Sequence, residues 1–142
     1  MSDGIPDALR ALMRTVHAVE AALARRLGVG VTDVLALQIL ADRNAGTVEL
    51  ARQLGIRSAS ATALVDRLQA AGHLRRVPHT TDGRRVVLEL TDSARTMVLA
   101  GLEPILDAVD DAVAELDPDE RPAVEEFLRR ITDAFEEFSK AG

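Results

Sequence analysis

The chain has 142 residues and contains no cysteine, no tryptophan and no tyrosine; phenylalanine occurs three times. Without cysteine there is no disulfide framework, no thiolate metal cluster and no thiol-based redox sensor. The three histidines, at positions 17, 73 and 79, are too scattered to predict a structural zinc site, and no cofactor is expected. No apolar run approaches the roughly 18 residues that a membrane-spanning helix requires. The opening segment MSDGIPDALR lacks the basic and apolar regions of a secretion leader, so the expected location is cytoplasmic. Length alone allows a single domain with a real core. Arginine supplies 16 of the 17 basic residues and alanine 23 of the 142, a compositional bias in which alanine also favours helix.

The net charge of −6 argues against indiscriminate coating of nucleic acid or anionic membrane. It is unevenly divided: residues 1–42 sum to −1, residues 43–95 to +4 and residues 96–142 to −9. A polyanion would therefore meet the middle third, and the acidic last third would point away from it.

Both ends of the chain read as long helices. Over 5–27, Ile5, Leu9, Leu12, Met13, Val16, Val19, Leu23 and Leu27 recur at spacings of three and four, until Gly28 and Gly30 stop the pattern. Such a helix is roughly 34 Å long at 1.5 Å per residue, long for packing within a small domain. A second stripe, from Met97 through Leu102, Ile105, Val109 and Val113 to Leu116, predicts a helix over 93–116 that Pro104 would bend. A last helix over 118–139 carries Val124, Phe127, Leu128, Ile131, Phe135 and Phe138, and so holds every aromatic residue of the chain. These stripes serve either as ordinary core or as a subunit interface joining the first and last helices. Their extent favours the interface, with Ile5, Leu9, Leu12, Phe127, Ile131, Phe135 and Phe138 as dimerisation residues.

Between the ends the elements are short. Helices are predicted over 33–42, capped by Thr32, over 47–54, closed by Gly55, and over 58–71, closed by Gly72. The last of these turns Ala61, Leu64, Val65 and Leu68 inward and leaves Ser58, Ala59, Ser60, Thr62, Ala63, Asp66 and Arg67 outside. Two short helices joined by a tight turn form a helix-turn-helix, whose second helix can enter the DNA major groove. Small residues there allow close approach, and hydroxyls can bond base edges, although a polar solvent face on a core helix has the same composition. The segment after this helix favours DNA. Leu74–Val77 and the alternating Val86, Leu88 and Leu90 predict a hairpin around Pro78–Arg85, a wing carrying Arg75, Arg76, Arg84 and Arg85. Arginines so placed suit phosphates and a narrow minor groove. Asp82 beside them is expected to accept hydrogen bonds from loop N–H groups or an arginine fork and so hold the wing in shape. His79 is either a phosphate contact or a solvated loop residue, and His17 is either an ordinary helix side chain or a ligand-pocket or pH-sensing residue.

At these residues the chain resembles the multiple antibiotic resistance regulator (MarR) family of bacterial winged helix-turn-helix repressors. The resemblance runs through TVELARQLGI at 47–56, ATALVDRL at 61–68, AGHLRR at 71–76, the wing signature DGRR at 82–85 and its exit Leu90-Thr91. It implies a mainly α fold with a small two-stranded β wing. Within a single MarR-like domain over 1–142, residues 31–91 would form the DNA-binding module and residues 1–30 plus 92–142 a helical dimerisation region. It further implies a homodimer on a pseudo-palindromic operator. Ser58, Ser60, Thr62 and Ala63 would lie in the groove, Arg84 in the minor groove, Asp82 in support, and Arg67, Arg75, Arg76 and Arg85 close to the DNA. Many such proteins release their operator when a small aromatic or anionic effector enters a cleft. Here Arg14, His17 or a helix terminus is expected to meet an anion, within an otherwise aliphatic lining.

The chain departs from the family pattern at four places. Leu35 replaces a common Gln, Arg57 the usual Ser or Asp ahead of the recognition helix, Ala63 a long side chain, and Ala94 a common Gly. The expected function is a sequence-specific double-stranded DNA-binding regulator, a homodimeric repressor released by a small effector. The alternatives are a constitutive repressor and a protein-interaction module of helix-turn-helix descent. An enzyme is not expected, because the many carboxylates lack a partner His, metal spacing or a nucleotide-cradling loop.

Overall fold

A computed structural model of the protein describes residues 4–141; Met1–Asp3, where the segment read as lacking a leader begins, and Gly142 lie outside the described residues. The elements in order are α1 (Gly4–Leu27), α2 (Val31–Asp42), α3 (Thr47–Leu54), α4 (Ser58–Ala70), β1 (Leu74–Pro78), β2 (Val86–Leu90), α5 (Asp92–Glu115) and α6 (Arg121–Ala141). None of the described helices is long and apolar enough to cross a membrane. The chain divides into two units, Met1–Gly101 and Leu102–Gly142, with the division inside α5. Pro104 lies just beyond that point, and its missing N–H removes the helical bond to the carbonyl of Ala100.

The first unit holds the core. Leu37 and Leu40 of α2, Leu50 of α3, Leu68 of α4, Leu74 of β1, Leu88 and Leu90 of β2, and Val98 of α5 are all fully buried, so each of these elements contributes at least one large side chain. Burial of each is worth about 1.5–3 kcal/mol. Helix α2 lies at the centre, burying Asp33, Val34, Ala36, Leu37 and Leu40. The strands pair antiparallel with Leu74 opposite Leu90 and Arg76 opposite Leu88, and Ala45 adds a single bridge to Leu88. Thr91 joins the wing to α5: its hydroxyl donates to the carbonyl of Gly72 at 2.8 Å and accepts from the N–H of Ala94 at 3.3 Å. Arg95 then donates to the carbonyl of Ala41 at 2.8 Å, fastening the start of α5 to the end of α2.

Two helix starts differ from the sequence expectation, each for a local reason. Helix α2 begins at Val31, not residue 33, and Thr32 does not cap it. The cap is Gly30, whose N–H donates to Oδ2 of Asp33 at 3.1 Å, the reciprocal half of a capping box. Helix α4 begins at Ser58 as expected, after Arg57, which offers no side-chain cap. Helix α6 begins at Arg121, not residue 118. Asp117 forms a turn first, accepting the N–H of Asp119 on its carboxylate at 3.1 Å and that of Glu120 on its carbonyl at 2.9 Å.

In the second unit, the remainder of α5 and all of α6, no described residue of α6 is buried. Phe127, Leu128, Phe135 and Phe138 are exposed on α6, as are Ile105, Leu106, Val109 and Val113 on α5. Arg129 pairs with Glu126 at 2.7 Å and with Asp133 at 3.0 Å along the same helix.

Candidate nucleic-acid interface

Helix α4 and the wing carry the side chains expected to meet DNA. Gly55 makes their approach possible. Its φ of 66° is left-handed, and the N–H of Ile56 bonds the carbonyl of Ala51 at 3.0 Å, so α3 ends abruptly and the chain turns into α4 within three residues. Gly72, with φ of 78°, ends α4 in the same way, the N–H of His73 reaching the carbonyl of Leu68 at 2.9 Å.

Ala61, Leu64, Val65 and Leu68 anchor α4, while Ser58, Ser60, Thr62 and Ala63 are exposed. Thr62 turns its hydroxyl back to the carbonyl of Ser58 at 3.0 Å. Ser58 and Ser60 make no side-chain hydrogen bond among the described residues. The exposed first turns of α4 are thus small, uncharged and open.

The six charged positions expected at DNA fall into two groups. Three arginines are committed within the protein. Arg67 donates to Asp33 of α2, Nη2 to Oδ1 at 2.5 Å with Nε 3.4 Å from Oδ2. This hydrogen bond, then the carboxylate's charge, raise the guanidinium's pKa above its usual value. Asp33 is the one buried charged residue described, and it satisfies both the α2 cap and Arg67. Arg75 lies across the strand pair from Glu89 and bonds it at 2.7 Å, which raises its pKa likewise. Arg76 reaches from β1 to α4, pairing with Asp66 at 2.7 Å and bonding Gln69. It ties the wing to the helix before it.

The other group sits at the wing tip. Asp82 accepts the N–H of Arg84 on Oδ1 at 3.1 Å, so of its two expected partners the loop amide is the one observed. The N–H of Arg85 bonds the carbonyl of Asp82 at 3.0 Å, and the carbonyl of Arg85 accepts the N–H of His79 at 2.9 Å. The guanidinium groups of Arg84 and Arg85 make no hydrogen bond or ion pair among the described residues. Counting four wing arginines from sequence therefore overstates the available positive charge: Arg75 and Arg76 are neutralised by Glu89 and Asp66, and the uncompensated charge is concentrated at the tip.

The remaining expected residues lie elsewhere. Ile5 and Leu12 of α1 are 63% and 56% exposed and Leu9 is half-buried; on α6, Phe127, Phe135 and Phe138 are exposed and Ile131 is half-buried. Arg14 and His17, expected in an effector pocket, stand exposed on α1, where His17 faces Glu20 at 3.5 Å. Neither lines the cleft between the α1–α2 junction and α4. That cleft, about 530 Å³, is bounded by Gly28–Asp33, Arg67, Leu68, Ala71 and His73. Sequence reasoning missed Asp33, although an Asp three residues after Gly30 is the spacing of a capping box. Among the described residues no group of three or more His, Asp or Glu side chains could hold a metal ion.

Residues 27–85 match the model of the MarR family. The chain is 32% identical over 125 residues to the uncharacterized HTH-type transcriptional regulator YcgE of Bacillus subtilis (strain 168), covering 87% of this chain and 80% of that protein. Among solved structures it is similar to RV1404 from Mycobacterium tuberculosis, with a TM-score of 0.68, 28% identity and 94% and 93% of the two chains covered. A MarR family protein from Bacillus stearothermophilus shares the fold, with a TM-score of 0.68 at 19% identity over 96% and 99% of the chains.

Proposed function

The chain belongs to the MarR family, and from that premise we propose that it is a sequence-specific double-stranded DNA-binding transcription regulator acting as a homodimeric repressor. The observation that carries this reading is the joining, through Arg76, of an open small-residue face on α4 to a wing whose only uncommitted arginines among the described residues are at its tip. Ser58, Ser60 and Ala63 would approach base edges, and Arg84 and Arg85 would meet phosphate and the adjacent minor groove. The committed arginines have a different part: Arg67 and Arg76 hold α4 in place, Arg67 on α2 and Arg76 on β1. Two copies would set two recognition helices about 34 Å apart on an inverted repeat.

The cleft beside Arg67 is where a small molecule would act on such a regulator. It is bounded by the α1–α2 junction on one side and by α4 on the other, so a ligand there would press on the ion pair that fixes the recognition helix. An anion would compete with Asp33 for Arg67.

Enrichment of duplexes from a random pool, followed by gel-shift titration, tests the reading. A single inverted repeat should emerge, and Arg84→Ala should weaken its binding about tenfold and lower the dependence on salt by about one phosphate contact. A chain that enriches no sequence would instead be a protein-interaction module.

A further inference from the structure

One side chain of the wing has no part in the proposed DNA contacts, yet it organises the loop that carries them. His79 comes directly after β1 and is half-buried. Its ring Nδ1 lies 3.2 Å from the backbone nitrogen of Thr81 and 3.2 Å from that of Asp82, and it accepts a hydrogen bond from each N–H. The hydroxyl of Thr81 is also 3.2 Å away. Two amide donors on one ring nitrogen require that nitrogen to be unprotonated, so the imidazole is neutral with its proton on Nε2.

From that ring the bonds run on without a gap. The amide of Asp82 bonds His79, the carboxylate of Asp82 accepts the amide of Arg84, and the carbonyl of Asp82 accepts the amide of Arg85. The amide of His79 itself closes on the carbonyl of Arg85. The backbone of both tip arginines is thus set by a turn whose first fixed point is the His79 ring.

We propose that His79 is a positioning residue for the wing: its neutral ring holds the bend that presents Arg84 and Arg85, and protonation releases it. A proton on Nδ1 would face two amide hydrogens, so both bonds are lost together. The surroundings do not reverse this. Across a hollow of about 170 Å³, His79 shares walls with Glu49 of α3 and with Arg85. Glu49 is already engaged by Arg43 at 2.8 Å and by Gln53 at 3.1 Å, and Arg85 repels an imidazolium. Asp82, the other nearby carboxylate, is bonded to the amide of Arg84. The inference rests on the proposal that the wing grips DNA.

The sign of the pH response separates this role from a phosphate contact, because an imidazolium touching phosphate would strengthen binding in acid. In the full chain without DNA, the amide resonances of Thr81 and Asp82 should shift together as pH falls from about 8 to about 5.5. His79→Asn places a non-titrating acceptor where Nδ1 stands and should hold those amides fixed throughout; His79→Ala should displace them at every pH. Affinity for a duplex enriched by the chain itself, at constant ionic strength, should fall about tenfold more in acid for the wild type than for His79→Asn. His79→Ala should bind as weakly at pH 8 as the wild type does in acid. Wild-type binding that tightens in acid, or His79→Ala amides and affinity equal to wild type at pH 8, overturns the proposal. Amides that titrate as described while His79→Ala and Arg84→Ala both bind normally would leave the loop geometry standing and remove the wing from the DNA contact.

Discussion

Asp33 is a buried carboxylate whose two oxygens are both used, one by the amide of Gly30 and one by Arg67. Replacing it with alanine removes the α2 cap, at a cost of about 1 kcal/mol, and frees the guanidinium that anchors α4. Asp33→Ala should therefore lower the urea midpoint modestly while weakening DNA binding more than the loss of stability explains. Asp33→Asn, which keeps an acceptor for Gly30, should recover stability but not affinity. At this scale the sequence was only partly legible. The hydroxyl face of α4 and the Asp82 support could be read from residue type and spacing. The partners of Arg67, Arg75 and Arg76 could not, because Asp33 is 34 residues from Arg67 and Glu89 is 14 from Arg75. Only the folded strands and helices decide which arginines remain free.

The elements themselves followed from periodicity wherever an apolar face meets the core. Helices α1, α3, α4 and both strands begin or end within a residue or two of expectation, since Leu50, Leu64, Leu68, Leu74 and Leu88 all point inward. The starts of α2 and α6 differ from the periodicity where backbone amides are satisfied by Asp33 and Asp117, local bonds that hydrophobic pattern does not register. Two substitutions test these element-level assignments. Leu40→Ala, at a fully buried position of the central helix, should destabilise the first unit by about 2–5 kcal/mol in chemical denaturation. Gly55→Ala meets no steric contact, yet its left-handed φ of 66° should cost about 1 kcal/mol, with a larger loss of DNA affinity if the turn sets how α4 is presented. Gly4→Ala, also open but without positive φ, is the comparison: it should not lower stability and should leave affinity unchanged.

For the whole molecule the central fact is apolar surface without a cover. Ile5 and Leu12 on α1, and Phe127, Phe135 and Phe138 on α6, lie exposed in a single chain, an amount of exposed hydrocarbon that a second copy would bury. Phe135→Asp should leave the helix content of the protomer unchanged, because Phe135 is already 48% exposed, and should shift sedimentation velocity from dimer to monomer. A sedimentation coefficient unchanged from wild type would remove α6 from the interface. The acidic last third, with −9 over residues 96–142, fits a segment that joins subunits and avoids DNA.

Twofold presentation of α4 and the wing along one duplex is the claim on which the functional reading depends, and hydroxyl-radical footprinting on an enriched duplex tests it most directly. Wild-type protein should protect two half-sites about one helical turn apart, related by a twofold axis, with outer minor-groove protections that vanish in Arg84→Ala. A single unsymmetrical protected patch, or a pattern that Arg84→Ala leaves intact, would contradict it.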